Sequence, residues 1–181
     1  MYIHPPAQLE NIPVKLLNTM QPSAAGTVIK KEAGSVGVKA VAAKDNIIAI
    51  KIKSSRMLLA YGFLRKIFEV FEKYKTSIDM ITTSEVAVSV TIDTDIHLNE
   101  IIAELSLIAS VEIEKDQTIV SIVGNEIAKT DAVLKKLFAA INEIPVTMVS
   151  YGGSPHNISL LLPSEYKTKT LQLVNKGLFN L

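Results

Sequence analysis

Along the chain, segments with the two-residue hydrophobic period of a strand alternate with segments that have the period of a helix. The whole pattern recurs after 70 residues, so that Phe63 of the first copy corresponds to Val133 of the second. Strand-like alternation over 48–53 recurs over 118–123. Apolar residues then follow the helical spacing i, i+1, i+4, i+5 and i+8 in both copies. The first set is Phe63, Leu64, Ile67, Phe68 and Phe71, and the second is Val133, Leu134, Leu137, Phe138 and Ile141. The pattern predicts two copies of one strand–helix unit.

Each copy continues with two more strand candidates and a second helix. We predict that the second helix of the later copy begins at an N-cap, Ser164, and carries the apolar residues Leu171, Val174 and Leu178. The strand candidates are 77–81 and 86–93 in the first copy and 147–151 and 156–163 in the second, and the closing helix of the first copy covers 98–108.

The two copies differ in how they end. The first continues into a strand over 111–114, which completes the order βαββαβ of a ferredoxin-like unit. The second stops at Leu181 without room for such a strand, whereas an unassigned strand-like stretch, 37–43, precedes the first copy. We predict that this stretch supplies the missing strand. The expected fold class is α+β, with two ferredoxin-like modules, the first inserted in the second, that unfold cooperatively.

Domain bounds follow from this arrangement. Module 1 is expected over 46–116, and module 2 over 36–45 plus 117–181. Residues 1–28 are too few to form a domain of their own, so we interpret them as the tail of another domain and a linker. Within them, 12–17 is a short strand candidate and 21–26 a loop.

Composition narrows the possible functions. With 48% hydrophobic and 20% charged residues the chain can form a packed interior, and a net charge of +1 without charge runs argues against nucleic acid or an anionic membrane as partner. There is no cysteine, and the three histidines, His4, His97 and His156, are scattered, so we expect no metal site. Without a signal-peptide pattern or a membrane-length apolar run, we expect a soluble, cytoplasmic protein.

The candidate site comes from an acidic difference between the copies. Asp79 corresponds to Val149 of the second copy, and Glu85 corresponds to Pro155. The backbone N–H groups of Gly62, Phe63 and Leu64, at the start of the first helix, would suit a carboxylate. Asp79 could hold an α-ammonium, and Glu85, with Ser84 beside it, a second cation. We expect these groups to face one cleft that fits an amino acid with one carboxylate and two amines, of which lysine is the commonest.

Structural interpretations of the same residues stay open. An isolated Asp in a strand is usually an edge residue, and 82–85 could be a polar turn. Met57 and Phe63 could belong to the core, and Gly62 could relieve crowding at a helix start. The loop 151–157 could be a second site or a contact surface, with His156 as a turn residue. No nucleophile, glycine-rich or metal pattern is present, so we expect no catalytic residues.

The sequence resembles the C-terminal regulatory region, a tandem of ACT domains, of lysine-sensitive aspartokinases. The segment 77–88, Ser-Ile-Asp-Met-Ile-Thr-Thr-Ser-Glu-Val-Ala-Val, resembles the effector-site strand and loop of that family, and Met57 and 62–64 resemble its preceding loop and helix start. The second copy matches through 124–125, 151–157 and 177–179. Further matches at 4–5, 11–14 and 26–27 resemble the end of the kinase domain, so the resemblance covers essentially the whole chain.

The resemblance implies an allosteric sensor. In this family lysine binds the first ACT module near a dimer interface and inhibits ATP- and Mg-dependent phosphorylation of the aspartate side chain, which opens lysine, threonine and methionine biosynthesis. The implied partners are free lysine, a second copy in a homodimer and an N-terminal kinase domain. Ala60 stands where the family leads us to expect a serine, and its side chain cannot make the polar contact that a serine would make. By the resemblance, the lysine ligands are Met57, Gly62, Phe63, Leu64, Asp79, Ser84 and Glu85.

The resemblance also implies what this chain does not do. The kinase segment, with its Lys-Phe-Gly-Gly-type motif, is not in the sequence, so we expect no catalysis and no cofactor in this chain itself. Three alternatives remain: a dimerisation-only ACT module without effector, a ferredoxin-like RNA-binding domain, and a stand-alone kinase. The RNA alternative would need exposed aromatics on a central strand, and 86–92 contains none.

Overall fold

The structure is a computed structural model that describes residue 7 and residues 9–30, 35–54 and 61–179. The chain divides into two compact units, one ending at Ser35 and one beginning at Val36. The first contains an antiparallel hairpin of β1 (Val14–Leu16) and β2 (Thr27–Ile29). Gly26 precedes β2 with a φ of 69°, and a Cβ there would lie 2.4 Å from the carbonyl oxygen of Leu16, so the turn requires glycine.

The second unit contains a six-stranded antiparallel sheet and four α-helices among its described residues. The strand order is β4-β5-β3-β6-β8-β7, so β4 and β7 form the two edges. The strands are β3 (Gly37–Lys53), β4 (Ile81–Thr83), β5 (Ala87–Ile92), β6 (Ser110–Asn125), β7 (Met148–Ser150) and β8 (Asn157–Pro163). The helices are α1 (Phe63–Lys73), α2 (Leu98–Leu105), α3 (Asp131–Ala140) and α4 (Lys167–Phe179).

Two long strands, β3 and β6, serve both modules. Residues 37–43 of β3 pair with 120–125 of β6, residues 47–53 pair with 110–117 of β6, and residues 48–53 also pair with β5. The register shifts between Lys44 and Ala49, where Asn46 and Asp116 on the two strands have φ values of 58° and 55°. Such irregularities turn both strands from one module into the other. The stretch 37–43 thus occupies the place of the missing strand, and the predicted α+β class with inserted ferredoxin-like modules is confirmed.

Strand alternation places the core on both faces of the sheet. On one face, Ile48, Ile50 and Ile52 pack with apolar residues of α1 and α2. The equivalent cluster of module 2 joins β6 and β8 to Leu137 of α3 and Val174 of α4. A third cluster lies on the opposite face and joins the two modules through Ile47, Ala49, Met80, Ile119, Met148 and Leu161.

Three element predictions need correction. Regular pairing of the strand predicted at 77–81 begins only at Ile81, because the N–H of Met80 donates to the hydroxyl of Thr91 at 2.9 Å instead of a ladder carbonyl. The helix predicted over 98–108 ends at Leu105. Ser164 is not the N-cap of α4: it begins a 3₁₀ turn, and its hydroxyl lies 2.8 Å from that of Thr118, which occupies the group that would cap.

Candidate functional site

The start of α1 offers backbone donors that have no partner within the helix, as the sequence predicts. Gly62 is the N-cap residue, with a φ of 79° in the left-handed region, and no side chain of the described residues caps this helix end. The first N–H groups of α1 therefore lie at the positive end of the helix without an intrahelical partner. Phe63 is buried and Leu64 is partly exposed. Met57 and Ala60 lie outside the described residues.

The turn that contains Ser84 and Glu85 lies at the same end of module 1. The N–H of Ser84 donates to the carbonyl of Ala87 at 2.8 Å, which closes the turn between β4 and β5. The N–H of Ser54, just past the end of β3, donates to the carbonyl of Val86 at 3.0 Å. Since the chain passes from this end of β3 into α1, the Gly62 end of the helix and the exposed Glu85 share one end of the sheet.

Asp79 lies at the other end of β4. Its N–H donates to the carbonyl of Thr91 at 2.9 Å, whereas Ser84 bonds to Ala87. These two positions are four residues apart on β5, which corresponds to about 13 Å along a strand. One chain by itself therefore does not bring Asp79 and Glu85 together at the Gly62 turn. The cause is the extended backbone between the two acids.

Lys44 engages Asp79, and the sequence reasoning missed this contact. Its ammonium donates to the two carboxylate oxygens of Asp79 at 2.8 and 2.9 Å and lies 2.9 Å from Asp93. The hydrogen bonds to Asp79 and Asp93 raise the pKa of Lys44, and the bond from Lys44 lowers the pKa of Asp93. No local signal could have revealed the contact, because Lys44 precedes Asp79 by 35 residues and belongs to the shared strand β3.

The corresponding loop of module 2 is closed by its own contacts. The hydroxyl of Tyr151 donates to the carbonyl of Ala128 at 2.6 Å, and the N–H of Ala128 donates to the carbonyl of Pro155 at 3.1 Å. The N–H of Glu126 donates to Nδ1 of His156 at 3.2 Å. His156 thus holds a turn. Val149 and Pro155, the counterparts of Asp79 and Glu85, provide no charge, so the acidic pair is a property of module 1.

Comparison with known proteins identifies the family. An ACT domain model matches residues 120–178. A solved structure described as a C-terminal regulatory domain of aspartate kinase from Porphyromonas gingivalis is 46% identical, with a TM-score of 0.71, and the match covers 78% of this chain and 97% of that one. The chain belongs to the regulatory region of the aspartokinases. The resemblance read from the sequence is confirmed.

Two longer aspartokinases show how much of such a protein the chain spans. Escherichia coli aspartokinase III, solved in complex with lysine and aspartate in its T-state, is 32% identical with a TM-score of 0.85 over 96% of this chain and 40% of that one. Aspartokinase 3 of Arabidopsis thaliana, a chloroplastic protein, is 34% identical over 194 residues, 98% of this chain and 34% of its own length. This aspartokinase region therefore spans about a third to two fifths of such relatives.

Two further properties of this aspartokinase region follow from its described residues. Within them, no three His, Asp or Glu side chains are grouped so that they could hold a metal ion. Of the helices described, none combines the length and the apolar character needed to cross a membrane.

Proposed function

We propose that this chain is the lysine-sensing regulatory region of an aspartokinase and that bound lysine acts as an allosteric feedback inhibitor of aspartate phosphorylation. The observation that carries the proposal is the helix start at Gly62, whose first N–H groups have no intrahelical partner and which lies at the same end of the sheet as the exposed Glu85, in the module that alone has the acidic pair. The lysine complex of the related E. coli enzyme supports the same ligand class.

The proposed site is shared between two subunits. β4 is an edge strand whose outer side has no sheet partner among the described strands, and Ile81 on it is 45% exposed. An edge of this kind can pair with a second copy. In an antiparallel pairing centred on Thr82, Asp79 of one subunit lies opposite the partner's Glu85, because both are three residues from the centre. Directly opposite residues point to the same face of a sheet.

Each group of lysine then has a partner of opposite charge. The ligand carboxylate sits at the start of α1, at Gly62, Phe63 and Leu64, and Met57 is a further ligand that the family resemblance implies. Ser84 and Glu85 of the same subunit bind one ammonium, and Asp79 of the second subunit binds the other. Lysine thereby favours the arrangement in which two subunits meet at β4, and a typical coupling of about 1–3 kcal/mol would suffice for inhibition.

The proposal extends to the intact enzyme. An N-terminal kinase domain that uses ATP and Mg phosphorylates the side-chain carboxylate of aspartate, while this region reports lysine concentration to it. We assign the protein to the cytoplasm, since the chain contains no cysteine and the proposed ligand is a free metabolite.

Calorimetric titration with lysine, threonine and methionine tests the ligand. We expect lysine to bind and Asp79→Ala and Glu85→Ala to abolish measurable binding, whereas Glu143→Ala, an acid of module 2 paired with Lys169, leaves it unchanged. Wild-type affinity in both site variants would refute the assignment. If no amino acid binds but the chain dimerises through β4, the region is a dimerisation-only ACT module, which the exposed Ile81 edge would also suit.

Mixed dimers test the sharing. A heterodimer of Asp79→Ala and Glu85→Ala subunits contains one site that lacks both carboxylates and one site that keeps both. Mixing the two variants, neither of which binds lysine alone, should therefore restore binding of up to one lysine per heterodimer, whereas the wild-type dimer binds two. A site contained within one chain predicts no restoration.

A further inference from the structure

Lys44 places on Asp79 the same chemical group that a bound amino acid would bring. Its primary ammonium meets both carboxylate oxygens of Asp79, at 2.8 and 2.9 Å. The geometry points to Lys44 as an internal ammonium that competes with the effector for Asp79 and so sets its affinity. This inference rests on the proposed lysine site and adds to it a residue that the family resemblance does not include.

The contact is built so that it can exchange. The side chains of Lys44 and Asp79 are 47% and 25% exposed, so a ligand ammonium can approach the carboxylate from solvent. Lys44 also lies 2.9 Å from Asp93. When Asp79 binds the effector, Lys44 keeps its ion pair with Asp93. The exchange therefore breaks only the pair between Lys44 and Asp79.

The backbone next to Lys44 holds the competitor near Asp79. The neighbouring Asp45 accepts a hydrogen bond from the hydroxyl of Thr118 at 2.9 Å and forms an ion pair with Lys167. Lys44 itself stands on β3 just before the register shift that leads from one module to the other. A group tethered at such a place has a high effective concentration at its partner.

Charge gives the direction of the effect. Asp79 and Asp93 together carry −2, and Lys44 reduces the local charge to −1. Removing the ammonium leaves a more negative cluster with an unoccupied carboxylate, which attracts a cationic amino acid more strongly. Because the pairs are partly exposed, the change corresponds to one surface ion pair.

We therefore expect Lys44→Met to lower the dissociation constant for lysine about two- to fivefold, the factor that an exposed ion pair supports. Lys44→Arg keeps the positive charge and should stay near the wild-type value. Lys169→Met is the matched control: it removes one charge and breaks the 2.8 Å pair with Glu143 in module 2, and should leave the affinity unchanged.

Asp93→Asn should change the affinity for lysine in the direction opposite to that of Lys44→Met. It removes the partner that Lys44 keeps after releasing Asp79, so lysine should bind more weakly, and this effect should shrink in the Lys44→Met background.

The calorimetric outcomes are distinct. If wild type binds lysine and Lys44→Met binds equally well or more weakly, the competition is refuted while the lysine site stands. If neither binds, the lysine site itself is wrong. Should circular dichroism show Lys44→Met to be unfolded, Asp93→Asn decides, and unchanged or tighter binding by it overturns the inference.

Discussion

The carboxylate of Asp45 accepts a hydrogen bond from the hydroxyl of Thr118 at 2.9 Å, across 73 residues of sequence. Asp45 stands at the register shift of β3, and Thr118 lies on β6 where that strand enters module 2. The same hydroxyl lies 2.8 Å from that of Ser164, ahead of α4. These hydrogen-bonded side chains of Asp45, Thr118 and Ser164 connect β3 and β6 to the start of the last helix, at the point where one module passes into the other.

Thr118→Val tests the contribution of that hydroxyl to stability. Thr118 is fully buried, and valine has nearly the same shape but neither donates nor accepts a hydrogen bond. We expect the free energy of unfolding to fall by about 0.5–1.5 kcal/mol, measured by urea denaturation. Thr168→Val, at an exposed position of α4, is the control and should change it by less than about 0.5 kcal/mol. Equal effects of the two substitutions would contradict the role of the buried hydroxyl.

Glu104 gives a pH-dependent prediction. Lys73 pairs with it and the hydroxyl of Tyr74 donates to it at 2.6 Å, and these hydrogen bonds hold its pKa below the ordinary value of 4.5. A carboxyl with a lowered native pKa stabilises the fold above the unfolded pKa, and the stabilisation is lost as pH falls through the native value.

The stability difference between wild type and Glu104→Gln should therefore be largest at neutral pH and shrink below pH 4.5. Urea midpoints over a pH series measure it. In a Lys73→Met background the same substitution should have a smaller effect at neutral pH, since the main partner is gone. A difference that is constant with pH would rule out this source of stabilisation.

The interleaved fold can be predicted from the sequence because the two copies of the repeat are unequal at their ends. The second copy lacked a last strand and 37–43 lacked a partner, so one assignment filled both needs. The site was less predictable. Asp79 and Glu85 are six residues apart, and the structure separates them because the backbone between them is extended: the N–H of Asp79 donates to the carbonyl of Thr91, and that of Ser84 donates to the carbonyl of Ala87. The contact from Lys44 depends on how β3 bends, which no local pattern encodes.

The shared strands predict that residues 36–181 unfold as one unit. Ile101 on α2 and Leu137 on α3 are fully buried in the separate cores of modules 1 and 2. Ile101→Ala and Leu137→Ala should each lower the free energy of unfolding by about 2–5 kcal/mol. Because β3 and β6 cross both cores, amide exchange should accelerate in both modules whichever core is changed. Faster exchange confined to the altered module would show that the two modules unfold independently.

Gly124 tests the inserted strand most directly. A Cβ at this position would lie 2.3 Å from the carbonyl oxygen of Gly37 and 2.8 Å from Cα of Val38, both backbone atoms that cannot rotate away. Gly124→Ala should therefore push the start of β3 from β6 and cost about 1–3 kcal/mol. Gly153→Ala is the matched control, because a Cβ there meets no atom within 4 Å. Thermal unfolding of the two variants measures the contrast, and similar melting temperatures would argue against the close pairing of 37–43 with β6.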